Sequence, residues 1–280
     1  MPSTPRPRAE DAATYYETQG DGRPIVFVHG GWSSSEMWAP QVQSFAEEYR
    51  TITYDVRGHG RTTDSGSEPY SIERFVEDLR ALIGTLDAED PVLCGLSMGG
   101  IIAQTYAARY PEDVAGLVLA DTTRWIPPLP IPLSGFQKQT LFPKPVVHSY
   151  IRAIGVEAYF QQLLMGIQAI EGHQWLALTP EIREFAIEEI GEFDVESYLR
   201  IFDALYDFEG CDLGAITAPT LVLAGDHEAS AVREQSERMA AIIEDARMET
   251  ILDAGHLANL DNPGAFDDRV EHFLHERVEQ

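Results

Sequence analysis

A buried strand can pass into a helix within two residues only if the chain reverses sharply, and in this 280-residue sequence that reversal falls on Ser97. Residues 92–96 have the length and composition of a buried strand, and residues 101–110 carry a helical pattern. Between them stands Gly95-Leu96-Ser97-Met98-Gly99, a G-x-S-x-G turn. Glycines at 95 and 99 have no Cβ, so strand and helix can pass closely. Such a strained turn exposes the serine hydroxyl. The N-terminus of the following helix aims unpaired amides, and the positive end of its dipole, at any oxyanion forming on a bound acyl group. Ser97 is therefore the candidate nucleophile.

Strands and helices alternate around this turn. Residues 14–18 can form an early strand, and 25–28 form a continuous apolar run of buried-strand type. That run ends in His29-Gly30-Gly31-Trp32, whose glycines allow backbone amides to face inward as a second source of oxyanion donors. Residues 51–54 and 114–119 are further strands, and 35–49 and 71–86 are helical in period, with Ser71 a suitable N-cap. The turn between, Asp55-Val56-Arg57-Gly58-His59-Gly60, is expected to be tied by hydrogen bonds from Asp55 and Arg57. From 123 to 210 the alternation breaks. A proline-stiffened stretch over 125–132 precedes helices expected at 146–154, 156–170, 180–190 and 195–207. Strands then resume at 219–225 and 247–252, with helices at 230–243 and 263–278. This order predicts an α/β protein built on a mostly parallel, doubly wound sheet, with the core in two parts, 1–122 and 211–280, and a helical cap over 123–210 inserted between them. Ligands bind such sheets at the carboxyl ends of the strands, where His29, Ser97 and Asp121 fall. His272 and His275 lie one turn apart on the last helix but among charged neighbours, so no metal site is expected.

Composition narrows the setting. The chain has 46 acidic residues against 20 basic, a formal net charge of −26, and its only lysines are Lys138 and Lys144. That balance argues against nucleic acid or an anionic membrane as partner. Lysine depletion beside acid excess points to a halophilic, high-salt cytoplasm, where a Debye length of about 3 Å at 1 M screens repulsion among surface carboxylates. Two cysteines, Cys94 and Cys211, are too few for a disulfide framework and are expected to be reduced. No apolar run is long enough to span a bilayer, and the first residues lack the apolar centre of a signal peptide, so a cytoplasmic location is expected.

In chain order, His29-Gly30-Gly31, Asp55-x-Arg57-Gly58-x-Gly60, Gly95-x-Ser97-x-Gly99, Gly225-x-x-Glu228 and Gly255-His256 resemble the α/β-hydrolase family. The likeness runs from about Tyr15 to the C-terminus. The closing residues 255–266 resemble the subgroup of enol-lactonases, small esterases and cofactor-free haloperoxidases. The order of elbow, acid and histidine matches the family's Ser, Asp or Glu, His triad. The resemblance implies Ser97 as nucleophile, His256 as the base, and the backbone amides of Met98 and Gly31 as the oxyanion hole. It departs from the family at the acid: Glu228 holds the slot that is usually aspartate, with Asp226 two residues earlier as the alternative and Asp121 as a third candidate. A glutamate can hold the imidazole tautomer, though its longer side chain needs a backbone set slightly further away.

The function implied is a serine hydrolase of small carboxylic esters or lactones, acting through an acyl-enzyme without metal or cofactor, as a monomer or small homo-oligomer. The same site with peroxide as acceptor would be a haloperoxidase or perhydrolase, and with a carbon-carbon bond as target a dione hydrolase. A slow-turnover ligand receptor would retain the same residues. Epoxide and haloalkane hydrolysis are disfavoured because those chemistries use aspartate where Ser97 stands.

Overall fold

The computed structural model describes residues 8–9, 12–64, 68–128 and 133–279. Residues 129–132 of the proline-stiffened stretch lie outside them. A seven-stranded sheet organises the chain: β1 (Tyr16–Gln19), β2 (Pro24–Val28), β3 (Arg50–Tyr54), β4 (Val92–Leu96), β5 (Gly116–Ala120), β6 (Thr220–Gly225) and β7 (Ala246–Ile251). Their spatial order is β7-β6-β5-β4-β2-β3-β1. Only β1 runs antiparallel, against β3, and every other pairing is parallel.

Parallel strands buried on both faces must send alternate side chains into two cores. Along β2, Val26 and Val28 join one cluster while Ile25 and Phe27 join the other. The first core is covered by α2 (Ile72–Thr85) and α3 (Met98–Arg109), through residues such as Phe75 and Ile102. The second receives Trp38 and, from the last helix (Pro263–Arg277), Phe266 and Phe273. Ser71 caps α2, its hydroxyl accepting from the Arg74 amide at 3.2 Å. The expected helix over 35–49 is shorter, a 3-10 turn Ser35–Trp38 followed by α1 (Ala39–Phe45).

Among the described residues, five α-helices stand between β5 and β6: Gly135–Leu141, Lys144–Ile154, Val156–Glu171, Pro180–Gly191 and Val195–Asp207. Four match the sequence expectation closely. The fifth, Gly135–Leu141, was not anticipated, although its capping box of Ser134 and Gln137 is a readable start signal. A small sheet of two-residue strands, Arg8–Ala9, Ala12–Ala13 and Thr63–Asp64, also escapes sequence patterning, being too short for any period. The two lysines both brace the base of these helices. Lys138 donates to the Tyr206 and Phe208 carbonyls, each at 2.8 Å, and Lys144 pairs with Asp207 at 2.7 Å.

Candidate active site

β4 ends at Leu96 and α3 begins at Met98, so the whole reversal is carried by Ser97 at φ 56°, ψ −119°. A non-glycine residue with this backbone is strained, and here glycine neighbours are what permit it. A Cβ at Gly95 would lie 2.3 Å from the Gly99 carbonyl oxygen, and one at Gly99 only 2.0 Å from that of Val28. Neither can be anything larger. The Ser97 amide is held by the Ala120 carbonyl at 3.0 Å, and its carbonyl accepts from Thr122 Oγ1 at 2.6 Å.

His256 Nε2 stands 3.0 Å from Ser97 Oγ, and His256 Nδ1 stands 2.5 Å from Glu228 Oε2. Glu228 follows β6, with no exposed side-chain surface, while the His256 side chain is 12% exposed, enough to face a ligand. The other oxygen, Oε1, accepts from the Ala229 amide at 2.6 Å and from Trp175 Nε1. A carboxylate accepting two N–H bonds on one oxygen is fixed in orientation, and can in turn fix an imidazole. Nδ1–H donated to Glu228 leaves Nε2 as the acceptor for the Ser97 hydroxyl proton.

Of the other acid candidates, Asp226 turns away. It accepts from the Ala254 amide at 3.1 Å and faces His227 Nδ1 at 2.8 Å, so it anchors the β6 and β7 ends to each other. Asp121 sits closer in. Fully buried after β5, it accepts from the Gly225 amide at 2.8 Å. Burial, and then the neighbouring Glu228 charge, raise its carboxyl well above the ordinary carboxylate range.

Gly31 and Met98 lie side by side above Ser97: a Cβ at Gly31 would meet the Met98 side chain at 3.6 Å, and one at Gly30 would meet Ser97 Cβ at 3.5 Å. As first residue of α3, Met98 has an amide with no partner inside the helix. The Gly31 loop is held from below. His59 Nε2 accepts from the Trp32 amide at 3.0 Å, and His29 Nε2 from the Val56 amide at 2.9 Å. Burial drives both imidazoles down in pKa, His59 to about 3, so both are neutral acceptors and not bases. Burial works to raise Asp55, but hydrogen bonds from Ser35 and Arg61 outweigh it and hold the carboxyl low. Arg57 forks onto Asp78 at 2.7 and 2.6 Å. The 55–60 turn is thus a buried polar bracket under the Gly31 loop.

A cavity of about 770 Å³ opens over Ser97 and His256, within the range of small-molecule sites. The helices between β5 and β6 form much of its wall, through Phe160, Ile190, Tyr198 and Leu205 among others. Trp32 stacks on Tyr198 at 4.5 Å, which joins that wall to the Gly31 loop. Trp175 comes from the same helical region. Its ring lies 4.7 Å from that of His256, and its carbonyl accepts from the His256 amide at 2.8 Å. No pattern in the sequence marks this tryptophan, since the contact spans separate parts of the chain. Among the described residues no cluster of His, Cys, Asp or Glu could hold a metal ion, and no helix is long and apolar enough to cross a membrane.

Comparison with known proteins places the chain in a family. A sequence model described as the alpha/beta hydrolase family matches residues 25–269. The chain is 26% identical to 3-oxoadipate enol-lactonase 2 of Acinetobacter baylyi, over 94% of this chain and 93% of the relative. It is 25% identical to carboxylesterase YbfK of Bacillus subtilis, over 91% and 81%. Among solved structures, a thermophilic esterase from Thermogutta terrifontis superposes with a TM-score of 0.79 at 26% identity, covering 95% of this chain and 94% of that one.

Proposed function

Because the chain belongs to the alpha/beta hydrolase family, we propose that Ser97, His256 and Glu228 hydrolyse a carboxylic ester or lactone through an acyl-enzyme. The observation that carries this reading is the unbroken line from Ser97 Oγ through both nitrogens of His256 to Glu228 Oε2, at 3.0 and 2.5 Å. Esterases and an enol-lactonase among the relatives support ester or lactone cleavage as the general chemistry.

In the proposed cycle Ser97 Oγ attacks the carbonyl carbon and its proton passes to His256 Nε2. The carbonyl oxygen becomes an oxyanion received by the amides of Met98 and Gly31. Glu228 stabilises the imidazolium without taking its proton. His256 then protonates the leaving alkoxide, and the ester C–O bond breaks. A water molecule attacks the acyl-enzyme, giving its proton to His256, which returns it to Ser97 as the acid product is released. Residues 1–122 and 211–280 act as the core in this scheme, and 123–210 as a cap that supplies substrate contacts. The acid excess is read as adaptation to a high-salt cytoplasm.

Labelling with a fluorophosphonate tests the scheme. Ser97→Ala should abolish both labelling and ester turnover, and Glu228→Gln should lower kcat by about 10⁴ while Asp226→Asn lowers it less than tenfold. Undiminished hydrolysis by Ser97→Ala would remove the mechanism.

A further inference from the structure

The cavity above Ser97 is notable for which charges it contains. Among the described residues that line it there is no arginine or lysine, and its charged or chargeable members besides His256 and the tyrosines are Asp121, Glu171 and Glu189. Glu189 already receives the hydroxyls of Ser33 at 2.8 Å and Ser34 at 2.7 Å, one on each oxygen. It therefore has acceptors only to present. Three other donors on the wall are occupied by the protein itself. Ser230 donates to Glu171 at 2.9 Å, Tyr206 to the Phe142 carbonyl at 2.7 Å, and Trp32 Nε1 to the Tyr198 carbonyl at 3.2 Å. An anionic group brought into this space would be desolvated, meet no cation, and face fixed carboxyls.

The opening has the same character. Phe142, Leu163 and Ile170 line the cavity and are also 44%, 40% and 82% exposed, so they mark its mouth as apolar. Large exposed apolar side chains gathered at one cavity entrance mark a route for apolar ligands.

We propose that this site takes uncharged esters or lactones with a long or bulky apolar arm, and that its carboxyl-lined wall, Glu189 foremost, rejects substrates bearing a carboxylate on that arm. The inference rests on the ester-hydrolase reading above. It separates this chain from any relative whose substrate is a carboxylate, since recognition of such a group calls for a cation that the wall lacks.

Three p-nitrophenyl esters of one length test it: octanoate, the suberate monoester with its free carboxylate, and the methyl ester of that suberate. Assays belong in about 2 M KCl, where exposed charges are screened and a difference reports the cavity. The octanoate and methyl suberate esters should exceed the free carboxylate by about 100-fold or more in kcat/KM, after subtraction of spontaneous hydrolysis. In Glu189→Gln the ratio of carboxylate to methyl ester should rise at least about threefold, a within-enzyme ratio that a general loss of activity does not move. A free carboxylate turned over within about tenfold of its methyl ester overturns the charge selection and leaves the hydrolase reading intact. No turnover of any ester, with no phosphonate labelling of Ser97, sinks both.

Discussion

Trp175 and Glu228, 53 residues apart in sequence, are joined by a hydrogen bond from the indole N–H to the carboxylate oxygen that does not face His256. Helical insertion and sheet core therefore meet at the acid of the proposed triad. Trp175→Phe keeps a ring beside His256 but removes the donor. A hydrogen bond to a charged group is worth about 1.5–3 kcal/mol, so kcat should fall by about 10- to 100-fold with KM nearly unchanged. Steady-state kinetics would decide. A loss below about threefold would show that the Ala229 amide alone holds Glu228.

The carboxyl pair Asp121 and Glu228 makes a second prediction, about pH. Asp121 is raised well above its ordinary 3.8. As pH rises past that value, the unfolded chain releases the Asp121 proton while the folded protein keeps it. Wild type then loses stability relative to Asp121→Asn by about 1.4 kcal/mol per pH unit, until the folded group ionises too. Asparagine still accepts from the Gly225 amide, so kcat at neutral pH should stay within about threefold. Denaturant titrations of both proteins at about pH 5 and pH 7 would test this. An identical stability difference at the two pH values would mean that Asp121 is ionised in the native state.

Salt and acid should act in opposite directions. With 46 acidic residues against 20 basic, repulsion at low ionic strength reaches about 30 Å at 0.01 M, which spans much of a domain. Melting temperature should therefore rise steeply from about 0.1 M to 2 M KCl. Acidification relieves the same repulsion, but His29 and His59 oppose it. Their folded pKa values are depressed from 6.5, so the unfolded chain binds protons that the folded state refuses. Each histidine contributes stability that is complete above pH 6.5 and is lost at up to about 1.4 kcal/mol per unit as pH falls below it. Thermal melts across KCl concentration and between about pH 7.5 and 5.5 would check both. A salt-independent melting temperature would assign the acidic surface to solubility alone, and an acid limb without loss in high salt would mean the imidazoles are not buried neutral.

The mostly parallel sheet and the positions of its strands along the chain were largely legible because buried parallel strands have a plain signature, and Gly95, Ser97 and Gly99 admit few backbones. Glu228 could be favoured over Asp226 from its slot alone, but what separates their surroundings is the turn after β6, where Asp226 anchors the Ala254 amide and Glu228 points inward. That choice of direction is tertiary. Gly135–Leu141 was legible in its Ser134 and Gln137 cap but was obscured by the prolines before it. Trp175 and Glu189 could not have been found, because both act across the fold: one on Glu228, the other on Ser33 and Ser34.

The carboxyl-lined wall of the cavity also bears on the end of each turnover. Ester hydrolysis replaces a neutral substrate by a carboxylic acid, which ionises at neutral pH as soon as it is free of Ser97. The product thereby acquires the charge this cavity is least able to accommodate, and Glu189, Glu171 and the apolar mouth leave it no resting place. Expulsion of product is thus built into the same side chains that exclude anionic substrates. Octanoate should be a poor inhibitor and octanol a better one, which inhibition constants for the two would show directly. Turnover in this protein would then be limited by acylation or by attack of water, with departure of the acid no obstacle even when the surrounding solution is rich in it.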